Sequence, residues 1–220
     1  MEYKRITLLC GHYGSGKTNV AVNMAFDLKN QYENVAIADL DIVNPYFRSK
    51  DSSQEFTEKG IRLICSEYAN TNVDIPALPP DMYALTDDKT IKAVIDVGGD
   101  DRGALALGRI SPKLVEEGDY EMLMVINCFR PLTRDSQSTI EVMLEIEQAC
   151  GIKFTGLVNN SNLGEQTTKE DILNSLEYAK EIEKKTGVKL KVTTVKEELY
   201  EQLCDKVENL FPLKLQKKMI

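Results

Sequence analysis

Short, almost unbroken apolar runs alternate along the chain with longer stretches in which apolar side chains recur every three or four positions. Ile6-Thr7-Leu8-Leu9-Cys10 is the first run, and its near-continuous apolarity marks a strand covered on both faces. A glycine-rich loop from Gly11 to Gly16 follows. From Lys17 to about Lys29 the residues Val20, Val22, Met24, Ala25 and Leu28 fall at helical spacing, which predicts a helix. Val35 to Ala38 predicts a second buried strand ending at Asp39, Ile61 to Cys65 a third and Ala93 to Val97 a fourth. Met122 to Asn127 is the fifth, with a helix from Asp135 to about Cys150 after it. Phe154 to Asn159 is the sixth, followed by a helix from about Lys169 to Lys185. Leu190 to Val195 predicts a last strand before a terminal helix of about a dozen residues. The stretch Tyr68 to Asp88, with Pro76, Pro79 and Pro80, shows no period and predicts a long surface excursion. Strands alternating with helices in this way predict an α/β fold of three layers, a mostly parallel central sheet with helices on both faces.

Composition narrows the class. The chain has 220 residues with 42% hydrophobic and 28% charged side chains, a globular balance that excludes disorder and fits one domain over residues 1–220. A formal net charge of -8 gives no general attraction to nucleic acid or to an anionic membrane. No apolar run is long enough to span a bilayer, and Met1-Glu2-Tyr3-Lys4-Arg5 leads straight into a strand without the features of a signal peptide. The apolar and lysine-containing tail Phe211 to Ile220 is broken by Pro212, which argues against a membrane-seeking helix. The five cysteines, Cys10, Cys65, Cys128, Cys150 and Cys204, are scattered without a C-x-x-C pair. They read as reduced, mostly buried thiols of a cytoplasmic protein.

The chemistry concentrates at three places. Gly11-His12-Tyr13-Gly14-Ser15-Gly16-Lys17-Thr18 satisfies G-x-x-x-x-G-K-[ST] in full, after a predicted strand and before a predicted helix. Glycines let backbone N–H groups turn inward around phosphates, and the helix N-terminus adds positive potential. Gly11, Gly14, Ser15, Gly16, Lys17, Thr18 and the adjoining Asn19 are therefore the expected phosphate-binding set, with Lys17 reaching the β and γ phosphates and the Thr18 hydroxyl on Mg²⁺. Asp39-Leu40-Asp41 ends the second strand and Asp96-Val97-Gly98-Gly99 the fourth, both on the edge where open α/β sheets bind ligands. Asp96 is expected to hold Mg²⁺ through water, and Gly99 to bring a backbone N–H close to the γ phosphate.

With these residues in place the chain resembles the MinD/ParA/NifH-like branch of P-loop NTPases, grouped as CobQ/CobB/MinD/ParA nucleotide-binding domains. The resemblance rests on the loop Gly11 to Thr18, on Asp39-x-Asp41 as a switch I segment and on Asp96-x-Gly98-Gly99 as switch II. It is nearest to small ATP-binding proteins with the strings DIVNPYFRS and DVGGDD, which stand here at Asp41 to Ser49 and Asp96 to Asp101. It implies a Mg²⁺–ATP site, ATP-driven dimerisation and a protein partner or cargo that senses the nucleotide. Asp41 would position or activate the attacking water, with Asp39 as its competitor. One position departs from the family: the signature lysine after the first glycine, which crosses a dimer interface to the partner's phosphates, is His12 here. An imidazole is shorter and largely neutral at pH 7. Arg48, Arg102 and Arg130 are candidates for a replacement charge, each weighed against an ordinary surface arginine.

GTP-specific relatives carry N-K-x-D after the sixth strand, whereas this chain has Asn159-Asn160-Ser161-Asn162. The resemblance therefore favours ATP, with Asn159 or Asn160 near the base. The leading expectation is Mg²⁺-dependent ATP binding with slow hydrolysis, used as a conformational switch. The rival is a synthetase or kinase of the dethiobiotin-synthetase and CobB type, which also lacks the signature lysine and phosphorylates a small carboxylate. A non-hydrolysing binding module is a third class, without a Cys or His cluster to carry a metal cargo.

Overall fold

The computed structural model describes residues 2–40, 50–65, 80–99 and 101–215, and within them all side chains except those of 50–52, 80 and 101–102. Eight strands form one sheet among these residues: β1 (Ile6–Cys10), β2 (Val35–Leu40), β3 (Ile61–Cys65), β4 (Lys92–Val97), β5 (Tyr120–Ile126), β6 (Gly156–Asn159), β7 (Leu190–Lys196) and β8 (Leu210–Leu213). Their order is β3-β2-β4-β1-β5-β6-β7-β8, and every neighbouring pair is parallel. The helices are α1 (Lys17–Gln31), α2 (Lys50–Glu58), α3 (Pro80–Asp87), α4 (Asp101–Gly108), α5 (Ser111–Glu117), α6 (Ser136–Cys150), α7 (Lys169–Thr186) and α8 (Tyr200–Leu203).

Right-handed crossovers decide which face each helix covers. The chain moves toward the β3 edge through α1 and α2, and toward the β8 edge through the later helices. Two apolar layers result. Val20, Ala21, Met24 and Leu28 of α1 pack with Phe56 of α2 against Leu9, Val35, Ile37, Val94 and Val125. Met82, Leu85, Ala104, Leu107, Leu114, Met143 and Ala179 cover Leu8, Ala36, Ile95 and Met124 on the opposite face. Strands sandwiched in this way have no polar side, and all five residues of β1 are buried.

This sheet order places β1 between β4 and β5, whose following helices leave on the face opposite to α1. Loops that diverge from neighbouring strand ends open a crevice at the carboxyl edge of the sheet. Side-chain alternation then aims the acids. Asp96 shares its face of β4 with Val94, and Asp39 shares its face of β2 with Val35 and Ile37, so both stand on the α1 side. They are also direct partners across the two strands, Asp39 opposite Asp96.

Three expectations need correction. The predicted terminal helix is instead the four-residue α8 followed by β8. Pro212 sits in that last strand, which pairs on one side only, with β7, and an edge strand tolerates the missing N–H. Within the aperiodic stretch Tyr68 to Asp88, residues Pro80–Asp87 form α3, while 66–79 lie outside the described residues. Finally, only Cys10 and Cys150 are buried; Cys65 and Cys204 are exposed and Cys128 is intermediate.

Candidate functional site

The loop between β1 and α1 is shaped by three glycines with positive φ: Gly11 at 147°, Gly14 at 78° and Gly16 at 87°. Two of them are also held by contact. A Cβ on Gly11 would stand 2.4 Å from the Val125 carbonyl oxygen, and one on Gly16 would stand 2.3 Å from Asn160 Nδ2. Any side chain there would force the loop away from β5 or β6.

Helix α1 begins differently from the long helices α6 and α7. Asp135 caps α6 by accepting from the Ser138 N–H, and Thr168 and Asp171 form a reciprocal capping box on α7. Helix α1 starts at Gly16 with no side-chain cap and no acid in its first turn. Its positive end is left facing the loop, the arrangement an anion requires. Ser15 Oγ and Asn19 Oδ1, on the loop and the first turn, are buried without a hydrogen-bond partner among the described residues.

Lys17 is buried to 5% exposure and its ammonium donates to the His12 carbonyl at 3.4 Å. It forms no ion pair with a carboxylate of the described residues. Gly99, at the end of β4, comes so close that a Cβ on it would lie 3.0 Å from Lys17 Nζ and 2.7 Å from the Tyr13 nitrogen. The Thr18 hydroxyl donates to Asp96 Oδ2 at 2.6 Å, and Asp96 is buried. A hydroxyl and a carboxylate side by side are hard oxygen donors. Mg²⁺ commonly takes one or two carboxylates and fills its other positions with water and phosphate oxygens, so the donor set fits that ion.

Asn160 ties the loop down from the other side. Its Nδ2 donates to the Ser15 carbonyl at 2.6 Å, and its Oδ1 accepts from Thr194 Oγ1 at 2.6 Å and from Asn162 Nδ2 at 3.1 Å. Asn159 is fully buried; its Nδ2 donates to Ser175 Oγ at 2.8 Å, which anchors α7. The contacts of both side chains therefore hold the loop and a helix. Asn160→Ala is expected to lower stability by about 1–2 kcal/mol, because the buried Ser15 carbonyl loses its side-chain donor, while Thr194 Oγ1 and Asn162 Nδ2 keep their bonds to the Asn159 and Asn160 carbonyls. Denaturant unfolding checks this, and a loss below about 0.5 kcal/mol would show that the tether is dispensable.

The remaining sequence-derived candidates separate. The His12 ring makes a local contact, Nδ1 to the Tyr13 carbonyl oxygen at 2.9 Å. Asp41, with Arg48 and Asp100, lies outside the described residues, as does the Arg102 side chain. Arg130 does reach the loop: a Cβ on Gly14 would lie 3.6 Å from its Nε and 3.9 Å from its Cζ. Burial pushes the thiol of Cys10, at the end of β1 where the loop begins, well above the usual cysteine range, which keeps it protonated and inert. Sequence reasoning missed the tethering role of Asn160, and no local signal could have shown it, since its partner is 145 positions away.

No family model matches the chain, and no curated protein does. Solved structures do. The cell division protein FtsY of Thermotoga maritima matches with a TM-score of 0.56 and 18% identity, over 87% of this chain and 62% of that one. The signal recognition particle receptor FtsY of Elizabethkingia anophelis in complex with GDP matches with a TM-score of 0.54 and 15% identity, over 99% and 62%. The signal recognition particle 54 kDa protein of Aeropyrum pernix in complex with GDP gives 0.54 and 17%, over 87% and 41%. The chain thus spans about two fifths to three fifths of the length of these proteins. At such identities the likeness concerns the fold, which is that of P-loop NTPases. Among the described residues no helix is long and apolar enough to cross a membrane.

Proposed function

We propose that this protein is a Mg²⁺-dependent nucleoside triphosphatase of the P-loop class that uses ATP as a conformational switch. The observation that carries the reading is the pairing of Thr18 with Asp96 at the end of β4, 2.6 Å apart, beside a buried Lys17. Backbone N–H groups of the glycine loop and of the α1 N-terminus would bind the phosphates, and Lys17 would neutralise the terminal ones. Thr18 and Asp96 would hold Mg²⁺, whose charge offsets the negative charge of the phosphates. Asp41 would orient the attacking water, with Asp39, one strand over from Asp96, as the competitor for that role. Gly99 would follow the terminal phosphate and move when it leaves, because its backbone rests on both Tyr13 and Lys17.

The base is assigned from sequence. The segment after β6 lacks the Lys and Asp of an N-K-x-D motif, which supports ATP, while two of the similar structures contain GDP. The likeness to MinD/ParA proteins supports a nucleotide-dependent homodimer and a protein partner, on one domain spanning residues 1–220. Native mass spectrometry with Mg²⁺ and ADP, then with a non-hydrolysable ATP analogue and its GTP counterpart, tests the reading. The expected result is tight binding of the ATP analogue and a dimer only in its presence. Preference for the GTP analogue would overturn the base assignment. A nucleotide-bound monomer that hydrolyses ATP only when a small carboxylate is supplied would replace the switch with the substrate-phosphorylating alternative, which His12 in place of the signature lysine favours.

A further inference from the structure

We infer that Arg130 is a phosphate-binding residue supplied in cis, which neutralises the β phosphate of the bound nucleotide from the β5 side of the loop. The inference rests on the nucleotide reading above and extends it to a residue outside the loop motif.

Three observations carry it. First, the guanidinium lies against the middle of the phosphate loop: Nε, Cδ and Cζ of Arg130 fall 3.6, 3.7 and 3.9 Å from the place a Gly14 Cβ would occupy. The arginine therefore lies within van der Waals reach of the Gly14 side-chain position, alongside the loop. Second, Arg130 is exposed and pairs with no carboxylate of the described residues, whereas nearby Arg134 stands beside Asp135 at 3.6 Å. In a chain with a net charge of -8, a cation held at an anion cradle without an acidic neighbour is placed to meet an incoming negative charge. Third, its backbone is fixed. The Arg130 N–H donates to the Asn127 carbonyl at 3.2 Å and the Arg130 carbonyl accepts from the Thr133 N–H at 3.1 Å. Asn127 Oδ1 accepts from the Phe129 N–H, and Ser161 Oγ from the Cys128 N–H. The braced turn fixes where the side chain starts, and the planar fork of a guanidinium matches two phosphate oxygens.

The sheet order selects the phosphate. Strands β4 and β5 flank β1, so Gly99, Asp96 and Lys17 gather on one side of the loop and Arg130 stands on the other. The β4 side holds the metal-binding pair and the lysine, where the terminal phosphate belongs. The β5 side is then left for the β phosphate, on which negative charge grows as the bond to the terminal phosphoryl breaks. The same contact would persist in the ADP state.

The test measures ADP affinity by calorimetry and steady-state ATP turnover for wild type, Arg130→Ala, Arg130→Lys and the neighbouring control Arg134→Ala. Arg130→Ala is expected to weaken ADP binding about tenfold and to lower kcat by about tenfold or more. Arg130→Lys should recover part of both, since it keeps the charge and loses the fork, and Arg134→Ala should match wild type. Because Arg130 is exposed, circular dichroism should show all variants folded. Wild-type ADP affinity in Arg130→Ala would overturn the inference while leaving the function reading intact. Failure of the wild-type protein to bind ADP, ATP or GTP would overturn both.

Discussion

Lys17→Ala is expected to weaken nucleotide binding by about 100-fold or more while leaving the fold as stable as before, or slightly more stable. The side chain is buried and its ammonium has one long hydrogen bond, to the His12 carbonyl at 3.4 Å. No described carboxylate pairs with it, so its charge is carried at a desolvation cost in the nucleotide-free protein. Truncation removes that cost and also the counter-charge for the phosphates. A charge-assisted contact in a desolvated site contributes roughly 3 kcal/mol, so affinity should fall by about 100-fold or more. Thermal unfolding with and without nucleotide separates the two effects. In the wild type, nucleotide at 100 times its Kd should add about 2.7 kcal/mol of stability. At the same concentration a variant weakened about 100-fold sits at its own Kd and should gain only about 0.4 kcal/mol. A variant that unfolds much earlier than wild type without ligand would show that Lys17 is chiefly structural.

Asp96→Asn is expected to keep the fold and most of the nucleotide affinity, and to lose turnover by about 100-fold or more. Asparagine can still accept the Thr18 hydroxyl through its oxygen, so the 2.6 Å contact between β4 and α1 survives. A neutral amide cannot balance a divalent cation or order its water shell. The distinguishing readout is the Mg²⁺ titration. Wild-type affinity for the triphosphate should rise with Mg²⁺, whereas the variant's should be nearly flat. Wild-type turnover by Asp96→Asn would remove this residue from the metal site and leave Asp39, its partner across the sheet, as the described carboxylate to examine next.

Both predictions concern residues that could be found from sequence, and the reason is local. Lys17 and Thr18 stand in one contiguous motif in which glycines, lysine and hydroxyl serve a single chemistry. Asp96 stands near the end of a buried apolar strand, at the sheet edge where ligands bind. Strands β1, β2, β4, β5 and β6 were legible because a short, near-continuous apolar run bounded by polar turns fits a doubly covered strand. Strand β3, read as a buried strand, is instead an edge strand among the described residues, with Arg62, Leu63 and Cys65 exposed. Short elements were not legible. Helices α2, α4 and α5 span nine, eight and seven residues, too few turns to establish a helical period. Strand β8 has four residues and a proline, and only its pairing with β7 makes it a strand.

The sequence by itself therefore determined the glycine-loop motif, the class of fold and the strand ends at which the carboxylates stand. These follow from covalent geometry and from a two- or 3.6-residue period, which neighbouring residues carry between them. Tertiary structure decided the rest: that β4 and β5 flank β1, that Asn160 fastens the loop, and that Arg130 comes up beside Gly14. Strand order depends on crossover handedness and on the packing of whole layers. No local period records which strand ends meet, so contacts across more than a hundred residues existed only once the sheet had closed around β1.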